Sequence, residues 1–230
     1  MSERKQQKTK AQSKRHKMKR IVVICCAFVC AICANPMHPN LFEAQSSNFI
    51  HDLRYGTADN FMGVNLYKHF GLDKCFLHKD LGERVKRLSE IASKERVKIV
   101  FFDCFRPQSA QIKAWEKMND ERFVANPYKN GSHHSRAIAL DVGLADENGE
   151  ILAMPSEFDE FSQKAFSDYK CTKAESQKCA NREKLKAIMK EAGFRGIKSE
   201  WWHYEADFTR DFPTLDKSKI RETYPLLDLP

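Results

Sequence analysis

An uninterrupted apolar run of 14 residues, Ile21–Ala34, directly follows a basic N-terminus and decides which part of the 230-residue chain can form a globular domain. The run is shorter than the ~20 residues that a membrane-spanning helix needs, and its length is typical of the hydrophobic region of a signal peptide. We therefore expect a basic N-terminal region at 1–20, a signal-peptide hydrophobic region or membrane anchor at 21–34, and a folded domain at 35–230.

We expect the folded domain to be exported whether the apolar run is cleaved or stays attached. Cleavage releases residues 35–230 into the periplasm, whereas an uncleaved segment anchors them to the outer face of the inner membrane, because the positive charge stays in the cytoplasm. The alternative is a basic tail followed by a buried helix. It is less favoured because no polar residue interrupts the run and Asn35-Pro36 ends it.

The positive charge of the chain is concentrated at its N-terminus. Residues 2–20 contain nine Lys or Arg and one Glu, a net charge of +8, which equals the formal net charge of the whole chain at pH 7. Residues 21–230 are therefore close to neutral. A nucleic-acid-binding domain carries a basic patch on its folded surface, so we expect no nucleic-acid partner.

Helical and strand patterns follow one another irregularly along the domain. Apolar spacing and capping residues predict helices at 81–92, 107–118 and 181–193. Asn181 is the predicted N-cap of the last helix. Short β-branched or aromatic runs predict strands at 97–102, 137–144 and 201–205. Because there is no regular βαβ rhythm, the sequence predicts a single α+β domain with a mainly antiparallel central sheet flanked by helices.

Four of the eight cysteines lie outside the apolar run: Cys75, Cys104, Cys171 and Cys179. In an oxidising compartment, Cys171 with Cys179 is a candidate local disulfide and Cys75 with Cys104 a candidate second one. The sequence alone leaves the pairing open. A zinc site built from these cysteines is less favoured, because no CxxC spacing occurs among them.

Two polar clusters contain the residue types of a catalytic metal site: SHHSRAIALD at 132–141 and EWWHYE at 200–205. Each cluster alone is also typical of a solvated loop or an aromatic core. Together, His134, Asp141 and His203 can fill three positions of a tetrahedral zinc ion and leave the fourth for water. Glu200 is then the candidate general base. The spacing differs from the helical HExxH motif.

Five segments, in this order, carry a resemblance to a known family: DLRYGTADNF, FFDCFRPQSA, SHHSRAIALD, FDEF and EWWHY. They span residues 52–204 and resemble the D-alanyl-D-alanine dipeptidases of the vancomycin-resistance type. Relatives of that family include zinc D,D-carboxypeptidases, and the fold shared with them resembles the hedgehog signalling domain. The resemblance therefore implies such a fold for this chain.

The resemblance also implies roles for individual residues. His134, Asp141 and His203 match the ligands of one Zn²⁺ per chain, and Glu200 matches the catalytic base, whereas His133 is a bystander. Arg106 matches an arginine that stabilises the developing oxyanion. Asp159 matches a carboxylate near the free amino group of the dipeptide. The remaining matches line the substrate pocket: Ser132, Tyr55 and Tyr67.

The chain departs from the family pattern at a few positions. Ala137 and Pro155 stand where the family usually has glycine, and Cys104-Phe105 stands where it usually has Gly-Tyr. A backbone with positive φ at Ala137 would favour glycine, so this change is expected to affect the approach to the metal if the position requires that conformation.

The resulting expectation is zinc-dependent hydrolysis of D-alanyl-D-alanine to two D-alanines, with a small peptide as the binding partner. A murein D,D-carboxypeptidase or peptidase acting on longer peptidoglycan stem peptides is the first alternative, favoured by the export signal. The second alternative is a non-catalytic, zinc-stabilised peptidoglycan-binding module. Structural zinc needs neither a general base nor an oxyanion donor, so Glu200 and Arg106 disfavour this module.

Overall fold

The computed structural model describes residues 38–208 and 223–229. The predicted basic region at 1–20 and the apolar run at 21–34 lie outside the described residues. Within the described part, no helix is long and apolar enough to cross a membrane.

A five-stranded sheet forms the centre of the described domain, and two further strands form a second, two-stranded sheet. The strands are β1 (Leu41–Glu43), β2 (Phe49–His51), β3 (Phe76–His78), β4 (Lys98–Asp103), β5 (Ala139–Ala145), β6 (Phe194–Gly196) and β7 (His203–Ala206). The central order is β2-β4-β5-β7-β6, and β1 pairs with β3. Only β2 with β4 is parallel among the central pairs, which confirms the predicted α+β class with a mainly antiparallel sheet.

The middle of the sheet is apolar because β4 and β5, like β7, have neighbouring strands on both sides. Every residue of β5 is buried, and in β4 only Lys98 is partly exposed. Strands buried on both faces need continuous apolar runs rather than alternating ones, as the KIVFF stretch of β4 shows. The sheet therefore gives its central strands a rigid position in the core.

Three α-helices occur in the described part of the chain: α1 (Gly82–Lys94), α2 (Gln108–Lys117) and α3 (Ser176–Glu191). Helices α1 and α3 contact each other and the central sheet. Their apolar stripes are buried, including Leu88 in α1 and Leu185 in α3. The hydrophobic effect thus attaches both helices to the sheet.

The predicted start of the last helix at Asn181 is wrong, because α3 begins five residues earlier at Ser176. The carboxylate of Glu175 accepts hydrogen bonds from the backbone N–H and the hydroxyl of Thr172. This capping box satisfies free N–H groups ahead of the helix. Asn181 lies inside the helix, and its side chain donates to the Ala153 carbonyl at 2.8 Å.

The last predicted strand starts too early, since β7 begins at His203 rather than at residue 201. Trp201 and Trp202 precede it in a bend, and both indole rings are buried with their centroids 5.3 Å apart. The two rings anchor the start of β7 in the core.

Both candidate disulfides form. Cys75 is bonded to Cys104 with a Cα–Cα distance of 5.3 Å, and Cys171 is bonded to Cys179 at 6.0 Å. The first disulfide connects the residue before β3 to the residue after β4, and the second holds the segment ahead of α3 against that helix. Because Cys75 and Cys104 are buried, the first disulfide belongs to the core.

Candidate metal centre

Three potential metal ligands meet at one end of the central sheet. His134 lies in a short 3-10 turn, His134–Arg136, which precedes β5, while Asp141 is on β5 and His203 begins β7. His134 Nε2 lies 3.1 Å from His203 Nδ1 and 3.3 Å from Asp141 Oδ1. His203 Nδ1 lies 3.1 Å from Asp141 Oδ1. These three side chains form a group that could hold a metal ion.

The spacing of the three ligand atoms fits zinc. A tetrahedral zinc ion with bonds of ~2.0–2.1 Å would hold its ligand atoms roughly 3.3 Å apart. The ring of His134 is fixed from behind, since its Nδ1 donates to the Cys104 carbonyl at 2.8 Å and leaves the Nε2 lone pair for a metal. The side chain of His203 is 13% exposed against 4% for Asp141, so the group opens towards solvent on the His203 side.

Asp141 carries the charge that a ligand needs. Burial by itself raises the pKa of this carboxyl, but the nearby His134 and His203 rings outweigh burial and hold the pKa well below its usual range. For His134, burial lowers the pKa, yet the charges of Asp141 and Asp103 raise it overall. The two histidine rings therefore favour the ionised form of Asp141, which is the form that binds a metal.

Glu200 lies beside the ligand group and is itself buried. Its Oε2 is 3.9 Å from His203 Nδ1. Burial, followed by the negative charges of Asp141 and Asp159, raises the pKa of Glu200 well above its usual value. A carboxylate with a raised pKa is a stronger proton acceptor, which suits a general base.

Arg106 occupies the cavity wall next to Asp141. Its Nε and Nη2 donate to Asp103 Oδ2 at 2.9 and 2.6 Å, and its Nη1 donates to Gln111 Oε1 at 2.9 Å. Nη2 also lies 3.7 Å from Asp141 Oδ2. These bonds use three of the five N–H groups of the guanidinium and fix its plane. With only 7% of the residue exposed, Arg106 is a buried cation rather than part of a surface salt bridge.

Asp159 presents a carboxylate oxygen to the same cavity. Its Oδ1 accepts a hydrogen bond from Tyr55 at 3.2 Å, while Oδ2 is buried and has no hydrogen-bond partner within the described residues. Burial and then the charge of Asp141 raise the pKa of Asp159 to about 7. A buried acceptor without a partner indicates that a donor belongs there, and a ligand ammonium group would satisfy it.

The two remaining predicted pocket residues have different positions. Ser132 lines the cavity, and its hydroxyl accepts from the backbone N–H of His134 at 3.1 Å. The hydroxyl of Tyr67 donates to Asp103 Oδ1, and Tyr67 is not among the residues that line this cavity. Tyr67 therefore supports the carboxylate that holds Arg106, one layer behind the wall.

His133, the predicted bystander, lies on the cavity wall beside the ligand group. Its Nδ1 is hydrogen-bonded to Glu205 Oε2, and Arg195 binds the other oxygen of Glu205. Within the described residues His133 is not a member of the potential metal-binding group.

Ala137, which stands where the family usually has glycine, has a backbone with positive φ. Its φ is 57° and its ψ is 31°, which is the left-handed helical region. Ala137 ends the 3-10 turn that carries His134, and its N–H bonds back to the His134 carbonyl at 2.9 Å. The turn thus tolerates alanine at a site where glycine would be free of strain.

Sequence reasoning missed several residues of the site. Asp103, which follows the predicted strand at 97–102, received no role, although its spacing of three from Arg106 was a signal. Three phenylalanines form an aromatic arch on the cavity wall: Phe61, Phe123 and Phe161. The ring centroids of Phe61 and Phe161 are 5.3 Å apart, and those of Phe123 and Phe161 are 4.8 Å apart. The cavity has a volume of about 220 Å³.

Comparisons with known proteins identify the family of the chain. A family model described as D-ala-D-ala dipeptidase matches residues 43–216. A D-alanyl-D-alanine dipeptidase of Escherichia coli K12 is 37% identical over 164 residues, which cover 71% of this chain and 82% of the relative. One of Enterococcus faecium is 27% identical, with coverages of 66% and 83%. One of Streptomyces coelicolor is 28% identical, with coverages of 66% and 83%.

Proposed function

Because the chain belongs to the D-alanyl-D-alanine dipeptidase family, we propose that it hydrolyses D-alanyl-D-alanine to two D-alanines with one zinc ion per chain. One observation carries the proposal. The three ligand atoms of His134, Asp141 and His203 lie 3.1–3.3 Å apart in a cavity that Glu200 and Asp159 also line.

The ligand set explains the choice of metal. Two imidazoles and one carboxylate are the ligands of many catalytic zinc sites. Zinc held there would supply Lewis acidity, lowering the pKa of water towards ~7 and polarising the peptide carbonyl. The chain's own residues supply the proton transfers, the orientation of the dipeptide and the stabilisation of negative charge.

Glu200 acts as the general base and then as the general acid. It accepts the proton of the attacking water and passes it to the nitrogen of the leaving D-alanine, so that one carboxylate serves as base and then as acid. Its distance of 3.9 Å from His203 leaves Glu200 beside the ligands without taking a ligand position. Burial strengthens Glu200 as a base by raising its pKa.

Arg106 stabilises the oxygen of the scissile carbonyl as negative charge develops on it. The guanidinium is permanently charged, and Asp103 and Gln111 hold it in place before the substrate arrives. A donor that is already oriented needs no reorganisation during the reaction, which is the source of oxyanion-hole stabilisation. Tyr67 contributes indirectly through Asp103.

Asp159 recognises the free amino group of the dipeptide. Its unpartnered Oδ2 accepts from the ammonium group, while Tyr55 holds Oδ1. The ammonium charge in turn favours the ionised form of Asp159. Ser132, which lines the same cavity, is available for a polar group of the substrate.

The aromatic arch of Phe61, Phe123 and Phe161 favours a short substrate. The three rings come from separate loops, and Phe161 contacts both Phe61 and Phe123 on the cavity wall. A longer peptide would have to displace them. This favours the free dipeptide over peptidoglycan stem peptides, whereas the apolar run at 21–34 favours the stem peptides because cell wall lies outside the membrane.

We also propose that the domain works outside the cytoplasm, either in the periplasm or anchored to the membrane through residues 21–34. The basic region followed by an apolar run supports export. The two disulfides support it independently, since disulfides persist mainly in oxidising compartments.

The product profile of the purified protein tests the proposal. The zinc-loaded protein is incubated separately with D-Ala-D-Ala and with a stem pentapeptide ending in D-Ala-D-Ala, and the products are identified by mass spectrometry. The dipeptide should be cleaved and the pentapeptide left intact. Cleavage of the pentapeptide alone would establish the carboxypeptidase alternative, and binding of either without cleavage would establish the non-catalytic module.

A further inference from the structure

The Cys75–Cys104 disulfide lies directly behind the candidate metal centre. The Cys104 carbonyl accepts the hydrogen bond from His134 Nδ1 at 2.8 Å. Cys104 and Cys75 are both buried, with 2% and 0% of their surfaces exposed. The same residue therefore carries a cross-link on its side chain and a contact to a potential metal ligand on its backbone.

The contact to the Cys104 carbonyl determines the tautomer and the orientation of the His134 ring. A carbonyl that accepts from Nδ1 selects the tautomer with the proton on Nδ1 and orients the ring, so that the lone pair of Nε2 points towards the metal position. Loss of such an outer partner typically lowers metal affinity by about 10–100-fold. The placement of this carbonyl is thus a determinant of metal binding.

Regular strand pairing does not by itself place the Cys104 carbonyl. Cys104 follows the last residue of β4, and the register between β4 and β5 shifts between Phe101 and Asp103. The peptide group that carries the Cys104 carbonyl donates through Phe105 N–H to the Phe76 carbonyl at 3.0 Å, and Arg106 N–H donates to the His134 carbonyl at 3.2 Å. The disulfide is the covalent link at this point.

The other half of the disulfide is firmly held. The N–H of Cys75 donates to His51 Nδ1 at 2.9 Å, and its carbonyl accepts from Ala44 N–H at 2.9 Å. Cys75 directly precedes β3, whose partner is β1. The cross-link therefore ties the irregular segment behind His134 to a segment that β1 and the β2 residue His51 also hold.

We propose that the Cys75–Cys104 disulfide positions the Cys104 carbonyl, and through it His134, so that the metal affinity of the site depends on this bond. Forming the bond removes two electrons and two protons from two thiols, and a disulfide oxidant takes them up as it is reduced to a dithiol. A dithiol reductant reverses the step. The proposal rests on the proposed function for the identity of the metal ligands.

The second disulfide provides a matched control. Cys171 and Cys179 hold the segment before α3, where Cys179 Sγ lies 3.6 Å from the Tyr169 carbonyl. Neither cysteine lines the cavity that contains His134. Removing this disulfide costs one cross-link but leaves the support of the metal ligands unchanged.

The test compares Zn²⁺ affinities, measured by competition with a chromogenic chelator, for the wild-type chain and two double variants. Cys75→Ala with Cys104→Ala should weaken zinc binding about 10–100-fold. Cys171→Ala with Cys179→Ala should leave it within about twofold of wild type. Near-UV circular dichroism of each protein reports whether tertiary packing is native. Equal affinities for both double variants, each natively folded, would overturn the proposal.

A reversible version keeps the test decisive if the Cys75→Ala, Cys104→Ala protein does not fold. In the Cys171→Ala, Cys179→Ala background, the Cys75–Cys104 disulfide is reduced with dithiothreitol and re-formed with oxidised glutathione. Zinc affinity should fall and recover while the circular dichroism spectrum stays native. Loss of zinc only together with loss of the native spectrum would overturn the positioning role and leave a purely structural one.

The affinity measurement also separates this inference from the proposed function. A wild-type protein that binds zinc and responds to the Cys75–Cys104 bond, yet releases no D-alanine, would support the inference and contradict the function. A protein that cleaves the dipeptide with zinc, but whose zinc affinity does not depend on the Cys75–Cys104 bond, would support the function and contradict the inference.

Discussion

Asp141 and His203 face each other on the adjacent antiparallel strands β5 and β7, and His203 Nδ1 lies 3.1 Å from Asp141 Oδ1. They are 62 positions apart in sequence. Two of the three potential ligands therefore stand on paired strands of the sheet, and only His134 lies in a turn. Ligands on regular elements keep their geometry better than ligands on loops, so the site is preorganised for metal binding.

Replacing Arg106 by lysine should lower kcat about 10²–10³-fold, with a smaller effect on KM. Lysine keeps the positive charge but loses the fork that binds Asp103 through two nitrogens, so the donor to the oxyanion is no longer held in place. Steady-state kinetics on D-Ala-D-Ala measures the change. Arg96→Lys is the control, because Arg96 forms a similar two-nitrogen pair with Glu147 on the surface. Equal kcat values for wild type and Arg106→Lys would exclude the oxyanion role.

Replacing Asp159 by asparagine should stabilise the metal-free protein more at pH 8 than at pH 5. Burial raises the pKa of Asp159 to about 7 in the folded protein from an ordinary value of 3.8, so the folded state binds the extra proton between these values. This contribution is fully present below the unfolded pKa and is lost as pH rises through about 7. Asparagine carries no charge at either pH. The difference in melting temperature between variant and wild type should thus grow from pH 5 to pH 8, and a constant or shrinking difference would contradict the assignment.

Replacing Phe161 by alanine should admit longer peptides. Phe161 is the ring that contacts both Phe61 and Phe123, so its loss opens the aromatic arch. We expect the ratio of kcat/KM for a tripeptide to that for the dipeptide to rise about tenfold, as for a contact that sterically discriminates between substrates. Phe42→Ala is the control, since Phe42 is a partly buried ring on β1 that does not line the cavity. An unchanged ratio in Phe161→Ala would show that the arch does not select substrate length.

Replacing Ala137 by glycine should change the free energy of unfolding by less than about 1 kcal/mol, because opposing effects nearly cancel. Relief of the left-handed backbone gains ~1–2 kcal/mol. The greater freedom of glycine in the unfolded chain costs ~0.5–1 kcal/mol. Loss of one buried methyl group costs ~0.8 kcal/mol. Urea denaturation measures the sum, and a loss above about 2 kcal/mol would show that the alanine methyl is essential to packing around His134.

The elements with strong apolar patterns were predictable from sequence. The strand at 97–102 and the helix at 81–92 agree with β4 and α1 to within a few residues. The start of α3 was missed because Thr172 and Glu175 lie ahead of the apolar stripe that signalled the helix. The parallel pairing of β2 with β4 could not be predicted from the sequence, because β2 has only three residues and its partner is distant in sequence.

The candidate site was predictable residue by residue but not as an arrangement. The ligand types and Glu200 were recognised from two clusters, yet their convergence depends on the pairing of β5 with β7. The aromatic arch left no periodic signal, because Phe61, Phe123 and Phe161 come from three irregular segments. The link from the Cys104 carbonyl to His134 is a backbone contact, which side-chain identity cannot reveal. The chemical roles of the site residues remain predictions.

The most direct test of the account is the release of D-alanine from D-Ala-D-Ala by the zinc-loaded protein, compared with its Glu200→Gln variant at equal zinc content. The wild type should release two D-alanines per dipeptide, lose activity when a chelator removes the metal, and regain it with added zinc. Glu200→Gln should be slower by about 10²–10⁴-fold. Glu121→Gln, at an exposed rim carboxylate paired with Lys129, should match the wild type. No D-alanine from the zinc-loaded wild type, or equal release from Glu200→Gln, would contradict the account.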